Sequence, residues 1–122
     1  MPASYKIDKR QRLVISSGSG VLTRDDCEKH QQQLLNDPDF DPGFSQLSDF
    51  TQVTKVALTT QDIQQLAIAT IFSPGARRAF LAGSEEQFGL SRMFEMIRET
   101  MGETGVRVFR SREEAMRWLL KE

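Results

Sequence analysis

The chain has 122 residues, with 16 basic and 17 acidic side chains and a formal net charge of −1. Because acids and bases alternate along the whole sequence, no basic block favours nucleic acid or an anionic membrane as a partner. No apolar run approaches the roughly 20 residues that a membrane-spanning helix needs, and the first residues lack the apolar core of a signal peptide. The single cysteine excludes an intrachain disulfide. These features predict one cytoplasmic domain over residues 1–122, with no nucleic-acid partner and no membrane span.

Turn signals and hydrophobic periodicity predict strands and helices that alternate along most of the chain. Gly18 and Gly20 are expected to loosen the end of the second strand, and 37–43 is expected to be a loop because it contains prolines and a glycine. The alternation predicts a single-domain α/β fold of order β-β-α-β-α-β-α-β-α, with a mixed, mostly parallel sheet covered by helices. The predicted elements are strands over 5–8 and 12–16, a helix over 24–35, a strand over 46–50, a helix from 59–62 to 72, a strand over 78–82, a helix over 85–101, a strand over 106–109 and a helix over 111–120.

Several segments resemble one known family. They are Phe88–Glu95, Val106–Arg110 and Glu114–Leu119, together with Asp49–Thr54 and Leu58–Asp62, which look like a central strand and the start of the following helix. These segments resemble the SpoIIAA-like family of the STAS superfamily, which has the anti-sigma-factor-antagonist fold and is also compared with CRAL-TRIO lipid-binding domains. The resemblance covers nearly the whole chain and implies that fold, whereas function depends on a site.

The same resemblance implies one functional position. Phosphorylated anti-sigma antagonists carry an Asp-Ser pair at the start of the helix after the central strand, and its serine is phosphorylated. The matching segment is 57–60, where Thr59 and Thr60 are candidate phospho-acceptors but the preceding acid is missing. The positive end of a helix would stabilise a phosphate there. The alternative is that these threonines only cap the helix.

The second predicted helix has apolar residues on two sides. Ile63 and Ala67 lie on one face, whereas Ile68 and Phe72 project from roughly the opposite side. A helix that lies on a sheet needs one apolar stripe, so the second stripe indicates burial against something else. A second subunit, a protein partner, an apolar ligand and the loop with the phenylalanines at 40–44 all satisfy this pattern.

Methionines on the third predicted helix extend this candidate surface. Met93, Met96 and Met101 are adaptable side chains that suit either a protein partner or a lipid-like ligand. A methionine stripe is also typical of an ordinary core, so the pattern leaves both interpretations open.

Other residues suggest chemistry without completing a site. Asp37, Asp39 and Asp41 have the spacing that begins a calcium loop, but the glycine and glutamate that must follow are absent. Cys27 and His30 lie on one helix and fit better as packed side chains than as nucleophile and base. Arginines on an evenly charged chain are usually solvated or paired. Because none of these groups completes a site, we expect no catalytic residue, metal or cofactor. The arginines considered for an anion site are Arg77, Arg78, Arg92 and Arg98.

The sequence therefore favours a noncatalytic regulatory or protein-interaction module. We expect a homodimer that uses the second helix, with Ile68 and Phe72 at its interface, and a regulatory protein is a second kind of partner. The first alternative is a carrier of a small apolar or lipid-like molecule, bound between the second and third helices near Met93 and Met96. The second alternative is an anti-sigma-type phospho-switch at the start of the second helix.

Overall fold

The computed structural model describes residues 3–121, which form a single α/β domain with the predicted element order. No helix in this range is long and apolar enough to cross a membrane. The strands are β1 (Ala3–Asp8), β2 (Leu13–Thr23), β3 (Ser45–Ala57), β4 (Arg78–Leu81) and β5 (Val106–Phe109). The helices are α1 (Arg24–Leu35), α2 (Thr60–Ile68), α3 (Glu85–Thr100) and α4 (Arg112–Leu119).

One mixed sheet runs through the domain in the order β1-β2-β3-β4-β5. β1 pairs antiparallel with β2, as predicted for the first hairpin, and the other neighbours pair in parallel. Parallel neighbours need crossover connections, which α1, α2 and α3 supply. Because right-handed crossovers that advance in one direction place their helices on one side, these helices share a face of the sheet and leave the other face to α4.

The face covered by α4, termed the α4 face, is apolar. Leu13, Leu47 and Ala79 come from three adjacent strands and form one buried cluster with Ala115 and Leu119 of α4. Leu13, Leu47, Ala79 and Ala115 have no exposed surface. The burial of this cluster stabilises the whole sheet.

The face covered by α1, α2 and α3, termed the three-helix face, carries the alternate strand residues. Val14 clusters with Leu34 of α1, whereas Phe80 clusters with Ile63 of α2 and Phe94 of α3. Polar side chains also occupy strand positions on this face and are buried there. These polar side chains border a cavity between the sheet and the helices.

β2 and β3 are longer than the sequence predicts. β2 continues through Gly18 and Gly20 to Thr23, and β3 continues past Phe50 to Ala57. The glycines therefore do not end the strand, because register shifts beside them let the pairing with β3 resume. The added residues extend these two strands beyond β4 and form one side of the cavity.

α2 ends earlier than predicted, at Ile68, and Phe72 lies in the loop that comes after it. The Thr70 hydroxyl accepts a hydrogen bond from the backbone N–H of Phe72 (3.2 Å), which offers an alternative to helical bonding. Phe72 is buried, and its ring meets that of Phe40 edge-on, with centroids 5.4 Å apart. The prediction that Phe72 projects outward as an interface residue is wrong, because the loop with Phe40 and Phe44 covers it.

Candidate binding site

A cavity of about 150 Å³ lies between the sheet and the layer formed by α1, α2 and α3. Most of its wall is apolar, with contributions from every element of that layer and from the extended ends of β2 and β3. Residues of the second and third helices line this space, but Met93 and Met96, which the sequence placed near an apolar ligand, are not among its lining residues. The apolar side chains of the wall include Leu22, Leu66, Phe80, Leu90 and Phe94.

The sheet contributes polar side chains to this cavity. Ser16, Gln46, Ser48 and Arg78 all line it, and all are buried. The strand register brings them together, because Ser16 pairs with Ser48 and Gln46 pairs with Arg78. Residues at paired positions point to the same face of a sheet, so these four side chains converge beneath the helices.

Hydrogen bonds connect the polar groups into a chain. Arg78 Nε donates to Gln46 Oε1 (3.3 Å), and Gln46 Nε2 donates to Ser16 Oγ (3.0 Å). Ser16 Oγ lies 2.9 Å from His30 Nε2, and Arg78 Nη1 donates to Thr70 Oγ1 (3.3 Å). This series of hydrogen bonds joins three strands to α1 and to the loop after α2. Each hydrogen-bond partner fixes the orientation of the next side chain.

The backbone of β4 is held tightly between its neighbours, which fixes the position of Arg78. The Arg78 N–H donates to the carbonyl oxygen of Gly105 (2.7 Å), and the Gln46 N–H donates to that of Arg77 (2.9 Å). A Cβ atom on Gly105 would collide with the carbonyl oxygen of Ala76. Glycine therefore lets β5 begin this close to the segment that precedes β4.

Arg78 carries the positive charge of the site and is 8% exposed. Its guanidinium carbon lies 4.8 Å from the ring centroid of Phe72, 5.3 Å from that of Phe94 and 5.9 Å from that of Phe80. Burial, followed by repulsion from Arg98, lowers the pKa of Arg78 to about 10. The group is therefore still cationic at neutral pH, and within residues 3–121 no carboxylate lies at ion-pair distance from it.

The structure separates Arg78 from the other arginines considered for an anion site. Arg92 and Arg98 form ion pairs at 2.9 and 3.2 Å, and Arg77 donates to a backbone carbonyl oxygen of α4. Arg78 is the one of the four that lines the cavity. The expectation that these arginines are solvated or paired is wrong for Arg78, which packs among aromatic rings without an acidic partner in the described chain.

Cys27 and His30 also line the cavity. Burial, with the nearby carboxylates of Asp26 and Glu28, raises the pKa of the Cys27 thiol to about 11, so the thiol is protonated at neutral pH. Burial and the charge of Arg78 lower the pKa of His30, so the imidazole is neutral. A protonated thiol and a neutral imidazole suit the wall of a binding site better than a nucleophilic pair.

The candidate phospho-acceptors lie at the start of α2. Thr59 caps the helix, since its hydroxyl accepts from the N–H of Asp62 (3.0 Å) while the Asp62 carboxylate accepts from the N–H of Thr59 (2.9 Å). Asp62 also forms an ion pair with Arg24 (3.3 Å). Thr60 is exposed in the first turn. The capping role of Thr59 is confirmed, and phosphorylation at either threonine stays a prediction.

The other candidate surface residues do not meet in one place. Ile68 is 59% exposed and Met96 is 56% exposed, whereas Met93 is half-buried against the cluster that joins α2 and α3. Phe72 lines the cavity from inside. The proposed interface residues thus divide between an outer surface and an inner wall.

The three aspartate carboxylates of the 37–41 loop all have local partners. Asp37 accepts a hydrogen bond from the Tyr5 hydroxyl (2.8 Å), Asp39 lies 3.4 Å from the Lys9 ammonium group, and Asp41 accepts from the N–H of Gly43 (2.8 Å). Among residues 3–121, no group of three or more His, Cys, Asp or Glu side chains is arranged to hold a metal ion.

Sequence reasoning missed Ser16 and Gln46 as site residues. The available signal was their position in strands, where Val14-x-Ser16 and Gln46-x-Ser48 place polar residues on the same face as apolar ones. A strand covered by helices on both sides is expected to be apolar on both faces, so polar residues at these positions mark an unusual interior. Recognising that Gln46 meets Arg78 required the strand register.

Comparison with solved structures identifies the fold. The chain is similar to an uncharacterised protein of the DUF3478 family with a SpoIIAA-like fold from Shewanella loihica PV-4, with a TM-score of 0.63 and 21% identity. The match covers 96% of this chain and 93% of that one. No protein-family model matches the sequence, and no curated protein matches it. The chain therefore has a SpoIIAA-like fold, as the resemblance implied.

Proposed function

We propose that this protein is a noncatalytic binding protein that holds a small lipid-like or aromatic molecule in the cavity. The observation that carries the proposal is the cavity itself, which has mostly apolar walls and a hydrogen-bonded polar group along its floor. Small-molecule sites have this composition, because apolar walls provide affinity and a few polar groups orient the ligand. An ordinary interior closes on such a space, since protein cores pack as densely as organic crystals.

The volume limits the size of the ligand. A cavity of about 150 Å³ accommodates a body of about the size of benzene, and drug-sized sites usually measure about 300–1,000 Å³. The part of the ligand that lies inside the cavity is therefore expected to be a ring or a short chain.

The contact between Ser16 and His30 does not make the cavity an active site. Ser16 accepts from Gln46 and lies on a regular strand. A catalytic histidine is usually oriented by a third polar group, but the described neighbour of the His30 ring is Tyr5, which meets it edge-on with centroids 5.6 Å apart. Holding a ligand is the role that this arrangement supports.

Native mass spectrometry of gently purified protein tests the proposal. Wild type should retain a small added mass, or take up toluene as a probe, and Ser91→Leu should lose both. Ser91 is buried, lines the cavity and has no hydrogen-bond partner for its hydroxyl within the described residues, so leucine would fill free space. Ser73→Leu, in the exposed loop before β4, is the matched control and should behave as wild type. A wild type that carries no adduct and takes up no toluene would contradict the proposal.

A self-associating interaction module is the second candidate, and the exposed Ile68 favours it. Ile68 and Met96 present apolar surface on the outer side of α2 and α3, where a homodimer or a regulatory protein would cover it. Ile68→Lys should convert a dimer into a folded monomer in light scattering, and its unfolding midpoint should no longer depend on protein concentration. A wild type that is monomeric at every concentration would exclude self-association.

A further inference from the structure

The buried charged side chains of residues 3–121 differ in whether they have an ion-pair partner. Glu95 is paired with Arg92 at 2.9 Å and Arg98 is paired with Glu103 at 3.2 Å, whereas Arg78 has no acidic partner within residues 3–121. A buried charge is normally paired, because removal from water is costly unless another charge compensates it. Arg78 has only the more distant carboxylate of Glu103 and three aromatic rings to offset its charge, and it lies on the wall of a cavity, which favours an anionic ligand.

One nitrogen of the Arg78 guanidinium has no hydrogen-bond partner among the described residues. Its Nε and Nη1 atoms donate to Gln46 and Thr70, and its Nη2 atom has no partner among the described residues. Every fully enclosed side-chain nitrogen or oxygen in this part of the chain has a hydrogen-bond partner. Nη2 is therefore not fully enclosed, and Arg78 is one of the residues that line the cavity.

We propose that the ligand is a small carboxylic acid whose carboxylate binds Arg78 Nη2 and whose apolar body lies among Leu66, Leu90 and Phe94. This inference rests on the proposed function and narrows its ligand class. Guanidinium and carboxylate are matched in shape and charge, so their hydrogen bonds are short and strong. A benzene-sized body with one carboxylate describes an aromatic acid or a short fatty acid.

The charge balance favours a carboxylate over a phosphate. Arg78 supplies one positive charge. The polar side chains that are hydrogen-bonded in series with it, including His30 and Gln46, are neutral. Asp49 also borders the cavity, but its carboxylate accepts from Arg112 (3.0 Å) and from the Thr51 backbone N–H (2.8 Å). One buried cation is neutralised by a monoanion, whereas a phosphate dianion would be left with a second uncompensated charge.

Calorimetric titration with matched acids and amides tests the inference. We expect wild type to bind benzoate or hexanoate at least about tenfold more tightly than benzamide or hexanamide, because the amide lacks the charge. Arg78→Met should abolish this preference and retain the binding of the amides. Arg77→Met is the matched control, since that neighbouring side chain bonds to α4 on the other side of the sheet, and it should keep the preference.

The outcomes separate this inference from the proposed function. Equal binding of acid and amide by wild type overturns the carboxylate assignment while leaving the cavity as a binding site, and that comparison needs no folded variant. Inorganic phosphate that binds more tightly than benzoate also overturns it. If wild type binds neither acids, amides nor toluene, the proposed function itself fails. A preference for acids that Arg78→Met removes and Arg77→Met preserves supports both.

Discussion

The two faces of the sheet are built from adjacent residues of the same strands, and they differ in polarity and in how closely the helices pack on them. Leu13 and Leu47 point to the α4 face and have no exposed surface. Ser16 and Gln46 point to the three-helix face and line a cavity with Arg78. Because strand residues alternate between faces, neighbouring residues of one strand belong to the apolar core on the α4 face and to the polar site on the three-helix face.

This division shows how a small domain tolerates a costly interior. The polar chain from Arg78 to His30 contains a charge without a described partner, which lowers stability unless a ligand compensates it. The apolar α4 face stabilises the same strands from the other side. A site that departs from ordinary packing therefore depends on a neighbouring region that follows it.

Adjacent substitutions on the two faces should give the largest contrast. Leu47→Ala removes a fully buried side chain from the α4 face and should lower the free energy of unfolding by about 2–5 kcal/mol. Ser48→Ala, one residue later on the cavity wall, should change it by less than about 0.5 kcal/mol, since the Ser48 hydroxyl has no hydrogen-bond partner among residues 3–121. Urea unfolding measures both. Equal losses would mean that the two faces are packed alike.

Removing the charge from the three-helix face should raise the free energy of unfolding, whereas Leu47→Ala should lower it. Arg78→Met deletes a buried cation and keeps apolar volume among the phenylalanine rings, so we expect the ligand-free protein to gain about 1–2 kcal/mol after the loss of its hydrogen bonds. Urea unfolding without ligand measures the change. A large destabilisation would mean that the guanidinium already has a compensating partner.

The pH dependence of that gain is set by the pKa of Arg78. The folded-state pKa is lowered from its ordinary value to about 10, so between the folded-state and ordinary values the unfolded state binds more protons than the folded state. Stability attributable to this residue therefore rises as pH rises through about 10. The advantage of Arg78→Met over wild type should shrink in that range, whereas the deficit of Leu47→Ala should not change.

A third contrast appears in mild acid. The pKa of His30 is lowered by burial and by the charge of Arg78. Below the ordinary value of 6.5, the histidine is therefore protonated to a greater extent in the unfolded state than in the folded state. Wild type should lose stability relative to His30→Gln as pH falls below 6.5, by at most about 1.4 kcal/mol per pH unit. Unfolding at several pH values measures the loss, and the resonance of the single histidine reports its pKa. A His30 pKa at or above 6.5 would contradict this expectation.

The fold was predictable because its signals are local. Pro-Gly turns, capping residues such as Ser111, and periodic segments such as 85–101 each occupy a short window, and their order implies a mostly parallel sheet. The ends of β2 and β3 were not predictable in the same way, because strand pairing overrides the preference of Gly18 and Gly20 for strand ends.

The site was less predictable because it depends on register and tertiary contact. Arg78 and Gln46 meet only after β3 and β4 pair, and nothing in either segment alone indicates the partner. Phe72 continues the helical period beyond α2, yet its contact with Phe40 holds it in the core. Periodicity identifies apolar residues but does not say whether a partner, a ligand or a loop covers them.

The smallest contrast separates two roles for the start of α2, the helix that covers the cavity. Thr59→Ala removes the hydroxyl that accepts from Asp62 N–H and should lower stability by about 1 kcal/mol. Thr60→Ala, at an exposed position in the first turn, should cost no more than a few tenths. Because a phosphate on Thr59 would lose this cap and approach the Asp62 carboxylate, modification there should destabilise α2 in spite of the helix dipole. Equal, negligible losses in urea unfolding would contradict a stabilising contribution from this cap.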